Sequence, residues 1–347
     1  MMCIKMKKII FQLFKMKNFR GGIVGGRYWS SEPRRSLDVA MALLRQIMLS
    51  DMDKIPELQL GDFKLELEIG PPSAEIQEVA KKELRETPEL QKESIERFRE
   101  LLKAEKDLKA PIDNEAWLIR FLRPCKYYPE SALQLAKNYY SFKTKHASIY
   151  EGLKPSRERN IFEQNILTVL PQRDQHGRRI LIIELGQKWK YKKCSLDEVY
   201  KGCVLFLEAA ILEPTTQIAG VVVIFDMEGL TLQQTWQFSP QFAKRILDLL
   251  QEAAPLRLKN FHIVNQPYVF NMVFALFKPF IKEKLKGRII FHGMDHKSLH
   301  QYITPKCLPV RYGGSLQIES VTGLQWLELL LQCDKEYDAI NSYGYNK

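Results

Sequence analysis

LRLKNFHIVNQPYVFNMVFALFKPFIKEKLKGRIIFHG, residues 256–293, decides how the rest of this chain is read. Its middle, Tyr268 to Phe277, is apolar on almost every side of a helix. Its flanks are basic, with Arg257 and Lys259 before the helix and Lys278, Lys282, Lys284, Lys286 and Arg288 after it; Glu283 is the one acid among them. A surface helix keeps a polar face, so a helix apolar all round is buried or meets lipid. Oil-like surface framed by cations suits a protein that handles a lipid beside an anionic membrane. The plain alternative is a core helix with a solvated end.

Outward from this stretch the chain reads as α/β. Arg257 to Val264 is expected as a strand, Pro267 to Phe277 as a helix broken by Pro279, and RIIFHG as a last core strand after Gly287. Upstream, Ser239-Pro240 starts the helix QFAKRILDLLQEA. The β-branched run Ile218 to Phe225 reads as a buried strand. Ser195 caps a helix through VYKGCVLFLEAAILE, and ILTVLPQRDQHGRRILIIEL reads as a strand pair turning at Asp174 to Gly177. Strands alternating with helices predict a mostly parallel sheet with helices packed on it.

Residues 73–150 predict a small helical domain. Ser73 is its first N-cap, and Pro88 divides the charged stretch 75–109 into two helices. That stretch holds ten acids and nine bases, the mark of a solvated face. Asp113 is expected to cap NEAWLIRFLR, which buries Trp117, Leu118, Phe121 and Leu122; Pro129 opens ESALQLAKNYYSFKTKH. Residues 155–315 form the α/β domain and 316–347 a carboxy-terminal tail. Residues 1–72 are expected to be a basic, disordered leader, with a short helix at 34–52 and an extended or looped 61–72.

The 347 residues allow one large domain or two smaller ones. No run of eighteen apolar residues occurs, which argues against a membrane-spanning helix. The net charge of +11 is local: residues 1–50 hold ten Lys/Arg against two acids, and 255–288 hold seven against one, leaving the remaining body at −3. This is not a nucleic-acid surface but a near-neutral body with one basic region for an anionic partner. Six cysteines without a CxxC pair predict reduced thiols and no zinc site.

Chemistry is sparse. Asp226 and Glu228 end a buried strand, where α/β folds place sites, but with no partner nucleophile a hydrogen-bonded turn is the better reading. His292, His296 and His300 stand four apart, yet Gly293 interrupts any shared helix. His262 reads as a core histidine. No GxSxG, phosphate loop, GxGxxG after a strand or HExxH occurs, which favours a binder over an enzyme.

Four segments, RFLRPCKYYPESALQLAKNYY, VVVIFDMEGL, the stretch 261–293 and LPVRYGGS, resemble the CRAL-TRIO family of lipid-transfer proteins over about 73–315. The resemblance implies a small amino-terminal helical domain followed by a mostly parallel sheet, flanked by helices and enclosing a lipid cavity. It implies a mobile gate carrying Val269, Phe270, Val273, Phe274 and Phe277. From the tocopherol-transfer branch it implies a phosphatidylinositol bisphosphate cleft at Arg123, Arg257, Lys259, Lys284 and Arg288, each basic here. The implied pocket is Tyr200, Cys203, Leu207, Val221, Val223, Phe225, Phe238, Ile246, Leu249, Leu250, Leu256, Phe261 and Val273. Cys203 and Leu207 stand where the tocopherol branch has serines, so this pocket is expected to be drier. The implied cargo is a tocopherol, a retinoid, another isoprenoid or a phospholipid chain, held without covalent chemistry. The implied setting is cytoplasmic and peripheral on endosomal or other phosphoinositide membranes. A trafficking adaptor without transfer activity, recruiting coat partners, is the alternative.

Overall fold

The computed structural model of the chain describes residues 56–316 and 321–345. The leader through residue 55, including the helix expected at 34–52, lies outside the described residues. The described chain opens on an antiparallel hairpin, β1 (Glu57–Leu60) and β2 (Phe63–Glu66). This corrects the expected leader, which ran to residue 72. Leu65 and the following Leu67 are buried in the main core and hold the hairpin there. Strands of four residues alternate too briefly to stand out in the sequence.

α1 (Ala74–Leu84) and α2 (Pro88–Ala104) follow, parted at Pro88. Ser73 Oγ accepts from the Ile76 N–H and Thr87 Oγ1 from the Leu90 N–H. Pro88 takes the first helical position, where its missing N–H costs nothing. α3 (Glu115–Leu122) is capped by Asn114, not by Asp113. The Asn114 N–H closes a turn on the Pro111 carbonyl, so the helix begins one residue later than expected; Asn114 Oδ1 then receives the Trp117 N–H at 3.0 Å. With α4 (Pro129–Lys145), these helices share a core around Phe98, Trp117, Phe121 and Tyr140.

The sheet runs β3 (Leu167–Val169), β4 (Arg179–Glu184), β5 (Val221–Asp226), β6 (Leu258–Val264) and β7 (Ile289–Gly293), in that spatial order. β3 pairs antiparallel with β4 and the others are parallel. Between them lie α5 (Leu196–Leu212), α6 (Pro214–Ala219), α7 (Pro240–Asp248) and α8 (Phe270–Phe277). The mostly parallel, helix-flanked class expected from the sequence is the one observed.

Two local differences place the site. The strand expected from Ile218 begins at Val221, because 214–219 form α6 and Gly220 turns the chain at φ +93°. A Cβ on Gly220 would lie 2.4 Å from the Arg257 carbonyl oxygen, so glycine is what lets β5 start against β6. In β6, Val221 pairs with Leu258 but Val222 pairs with Asn260, which leaves Lys259 as the extra residue of a bulge. The bulge turns Leu258 and Phe261, three apart, to the same face of the sheet.

That face belongs to the largest core, with α5, α7 and α8 over it. The opposite face, Ile180, Ile182, Val222, Ile224 and Val264, packs on Leu299, Ile303, Leu308 and Tyr312. The expected tail is also corrected: α9 (Gly323–Leu331) and α10 (Asp334–Ser342) bury Trp326, Leu330 and Tyr337 in the main core. Among the described residues no helix is long and apolar enough to cross a membrane.

Candidate functional site

The sheet and the three crossover helices enclose a cavity of about 240 Å³. Larger than the ~150 Å³ apolar cavities that stay dry and admit benzene, it is a space for an apolar guest. All thirteen residues expected on a pocket wall stand on this one. Val221, Val223 and Phe225 enter from alternate positions of β5, as strand periodicity requires. Phe261 faces Phe225 across the β5–β6 pair, rings 6.3 Å apart and 20° from parallel, because the bulge brings it there. Tyr200, Cys203 and Leu207 come from one face of α5 at helical spacing. Burial pushes the Cys203 thiol up to about 12, so it remains a neutral wall group.

α8 closes the cavity. Phe270, Val273, Phe274 and Phe277 line it, whereas Val269, one residue before the helix, packs on the core without reaching the wall. The helix is three residues shorter than the sequence suggests, since Pro267 to Val269 form a turn accepting the Phe270 N–H. Its outer side carries apolar groups as well: Met272 is 50% exposed and Tyr268, before the helix, 89%, beside the exposed amide of Asn271. Leu232–Thr235 packs beside α8, and Trp236 after it is 65% exposed.

Of the five expected cations, Arg257, Lys259 and Arg288 meet at the start of β6, whereas Arg123 ends α3 and Lys284 lies in the short helix Glu283–Lys286, and the five differ in availability. Arg257, which precedes the strand, and Lys259, in the bulge, both donate to Glu83 of α1, at 2.5 and 2.9 Å. They converge through the bulge and this shared carboxylate rather than through two-residue alternation in a regular strand. Arg288 donates to the Leu258 carbonyl; burial and then the neighbouring Arg257 lower its pKa. Lys284 is exposed, with its charge felt at Cys125. Arg123 is buried, gripping Glu86 with two bonds of 3.0 and 2.8 Å and Gln217 at 2.6 Å. Burial acts to raise the Glu83 carboxyl, but Arg257 and Lys259 outweigh it and hold the group at about 2.

The CRAL/TRIO domain pattern matches residues 163–314. Human alpha-tocopherol transfer protein-like is 34% identical over 260 residues, which cover 74% of this chain and 75% of that one. The chain belongs to the CRAL/TRIO family. Clavesin-1 of Mus musculus is 30% identical over 77% of this chain and 73% of its own length. Human clavesin-2 is 29% identical over 78% and 82%.

In this CRAL/TRIO protein several site residues escaped the sequence reading. Phe242 lies on the cavity wall one helical turn before Ile246, a helical spacing that could have found it. Trp326 reaches the wall from α9, with no signal in the sequence. Arg179 and Glu213 are charged members of an otherwise almost wholly apolar wall, and they are fully paired. Arg179 bonds Glu213 at 2.9 and 2.5 Å, Arg173 bonds it at 3.0 Å, and Thr216 Oγ1 donates to it at 2.6 Å. Burial works to raise Glu213, yet Arg179 and then Arg173 hold it at about 2.

The other candidate groups serve the sheet's far side. Asp226 accepts from the Tyr312 hydroxyl, the Asn265 amide and the Glu228 N–H, the hydrogen-bonded turn reading, while Glu228 is exposed. His292 Nε2 meets His262 Nδ1 at 2.9 Å and its Nδ1 meets Ser298. His296 meets Asn265 and His300 the Tyr312 carbonyl. Among the described residues no group of His, Cys, Asp or Glu is arranged to hold a metal. His262 is only half satisfied, since its buried Nε2 has no partner.

Proposed function

We propose that this protein binds one hydrophobic molecule in the cavity under α8 and exchanges it at a membrane containing phosphatidylinositol bisphosphate, making and breaking no covalent bond. The observation that carries the reading is that α8 carries apolar groups on both sides. Phe270, Val273, Phe274 and Phe277 face the cavity while Met272, with Tyr268 beside the helix, faces outward. A purely structural lid gains nothing from outward apolar groups; a lid that meets lipid does. Burial of the cargo contributes about 25 cal/mol per Å² of apolar surface. The dry wall suits an isoprenoid such as a tocopherol or retinoid, or a phospholipid chain, and relatives whose names refer to tocopherol transfer support this class.

Arg123, Arg257, Lys259, Lys284 and Arg288 form the headgroup site, with guanidinium and ammonium groups suited to phosphate oxygens. A bound headgroup favours the open lid, so cargo is released where the headgroup is found, on endosomal or other phosphoinositide membranes. Organic extraction and native mass spectrometry of the purified protein test the first half: one co-purifying lipid per chain is expected. Vesicle transfer assays test the second. Arg257→Ala with Arg288→Ala should slow transfer to bisphosphate vesicles and leave the loaded fraction unchanged. Equal transfer by wild type and variant overturns the headgroup site, and bisphosphate binding without any extractable lipid turns the reading towards an adaptor.

A further inference from the structure

Glu83 and Glu86 come from the carboxyl-terminal end of α1 and the turn beyond it. Acids there face the negative end of the helix dipole, so their position needs cations to offset it. The cations are those of the headgroup site. Glu83 takes Arg257 and Lys259, and Glu86 takes Arg123 with two parallel bonds. Between them Arg85 adopts a left-handed backbone, φ +64°, as the helix closes. α1 itself is held by a small satellite cluster, Ala80 and Leu84 on Ile218 with Ile76 and Val79 beside them. A short helix so anchored can yield locally without unfolding the sheet.

We propose that Glu83 and Glu86 are an internal anion that a lipid headgroup must displace, and that they set the site's selectivity for two phosphates over one. This rests on the headgroup reading of the same cations. Two carboxylates carry −2, and one phosphate monoester carries about −1.5 to −2, so beyond the phosphodiester common to every phosphatidylinositol a single phosphate replaces the internal anion with no gain in charge. A bisphosphate brings about twice that charge and more acceptor oxygens. It can hold Arg123, Arg257 and Lys259 together and still engage Lys284 and Arg288. Glu83 and Glu86 thus act by raising the threshold for binding rather than by touching the ligand.

The test is co-sedimentation of the full chain with vesicles containing phosphatidylinositol, its monophosphate or its bisphosphate. Wild type is expected to bind the bisphosphate best. Glu83→Gln should strengthen monophosphate binding about fivefold, the upper range for releasing a half-exposed ion pair, and flatten the preference. Glu83→Asp keeps the charge and should retain the wild-type ratio, which separates charge competition from loosening of α1. A wild-type ratio in Glu83→Gln, with Arg257→Ala still abolishing binding, overturns the internal anion and leaves the headgroup site standing. Full bisphosphate binding by Arg257→Ala overturns the headgroup site itself.

Discussion

The rings of Phe274 and Phe291 meet edge to face, 5.0 Å between centroids and 86° between planes. Phe274 is on the cavity-closing helix and Phe291 on β7, the edge strand, so this contact ties the lid to the sheet. Phe270 reaches the same ring at 6.3 Å. Such pairs contribute about 0.5–1.5 kcal/mol beyond their area. Phe291→Ala should therefore speed release of a preloaded fluorescent fatty-acyl probe by roughly two- to tenfold, at nearly unchanged thermal stability. An unaltered release rate would mean that cargo leaves by a route other than under α8.

Cys203 tests the cavity as a binding space. It stands on α5 between Tyr200 and Leu207, all three on the wall. Cys203→Trp should fill much of the 240 Å³ and reduce co-purifying lipid severalfold, with the fold retained because the new ring enters existing space. Native mass spectrometry reads the loaded fraction. Full loading of this variant would place the ligand elsewhere.

Glu213 carries a stability prediction with a pH window. Glu213→Gln leaves Arg173 and Arg179 with Glu68, a third exposed, as their remaining counter-charge, and should cost up to about 3 kcal/mol in urea unfolding, the low end for breaking a buried pair. Glu213 also accepts the Glu68 N–H, so the variant should release the β1–β2 hairpin to proteolysis near Gly61 sooner. Its folded pKa, about 2, lies below the ordinary 4.5. The stabilisation is then fully present above 4.5 and is lost as pH falls through 2. The gap between wild type and variant should persist at pH 5 and close only in strong acid.

His262 predicts a different window. It is 0% exposed, pinned to His292, with the Arg178 cation nearby. Burial first, then His292 and Arg178, push its pKa from 6.5 to about 3. Between those values the unfolded chain takes up a proton that the folded chain refuses, so stability falls as pH drops from 6.5 towards 3. At about 1.4 kcal/mol per pKa unit the loss reaches a few kcal/mol. His262→Asn removes this titration, and its stability deficit relative to wild type should narrow steadily across that range in urea titrations. A constant deficit would show that His262 does not carry the effect.

The sequence by itself determined the class of fold and the positions of most helices. Local chemistry did this. Ser195 and Ser239 satisfy helix N-termini, β-branched Val221 to Ile224 alternates between two buried faces, and the apolar run of α8 marks a helix that covers the core. Such signals act within a few residues, so they survive without knowledge of the fold. Resemblance to a known family added the thirteen wall positions.

Tertiary structure decided what local chemistry leaves open. The bulge at Lys259 belongs to the pairing of β6 with β5, between Val221 and Val222, and it brings Leu258 and Phe261 to one face. The hairpin at 57–66 and the helices after 321 became core elements only through partners far away in sequence, as Gln332 bonding both the carbonyl and, through its own Oε1, the N–H of Glu57 illustrates. The mixed charge of 75–109 read as a solvated face, and most of it is. Glu83 and Glu86 differ from their neighbours only in lying against Arg257, Lys259 and Arg123, residues separated from them by up to 176 positions. Charge acts through space, and no periodicity in the chain records which carboxylate a folded cation will meet.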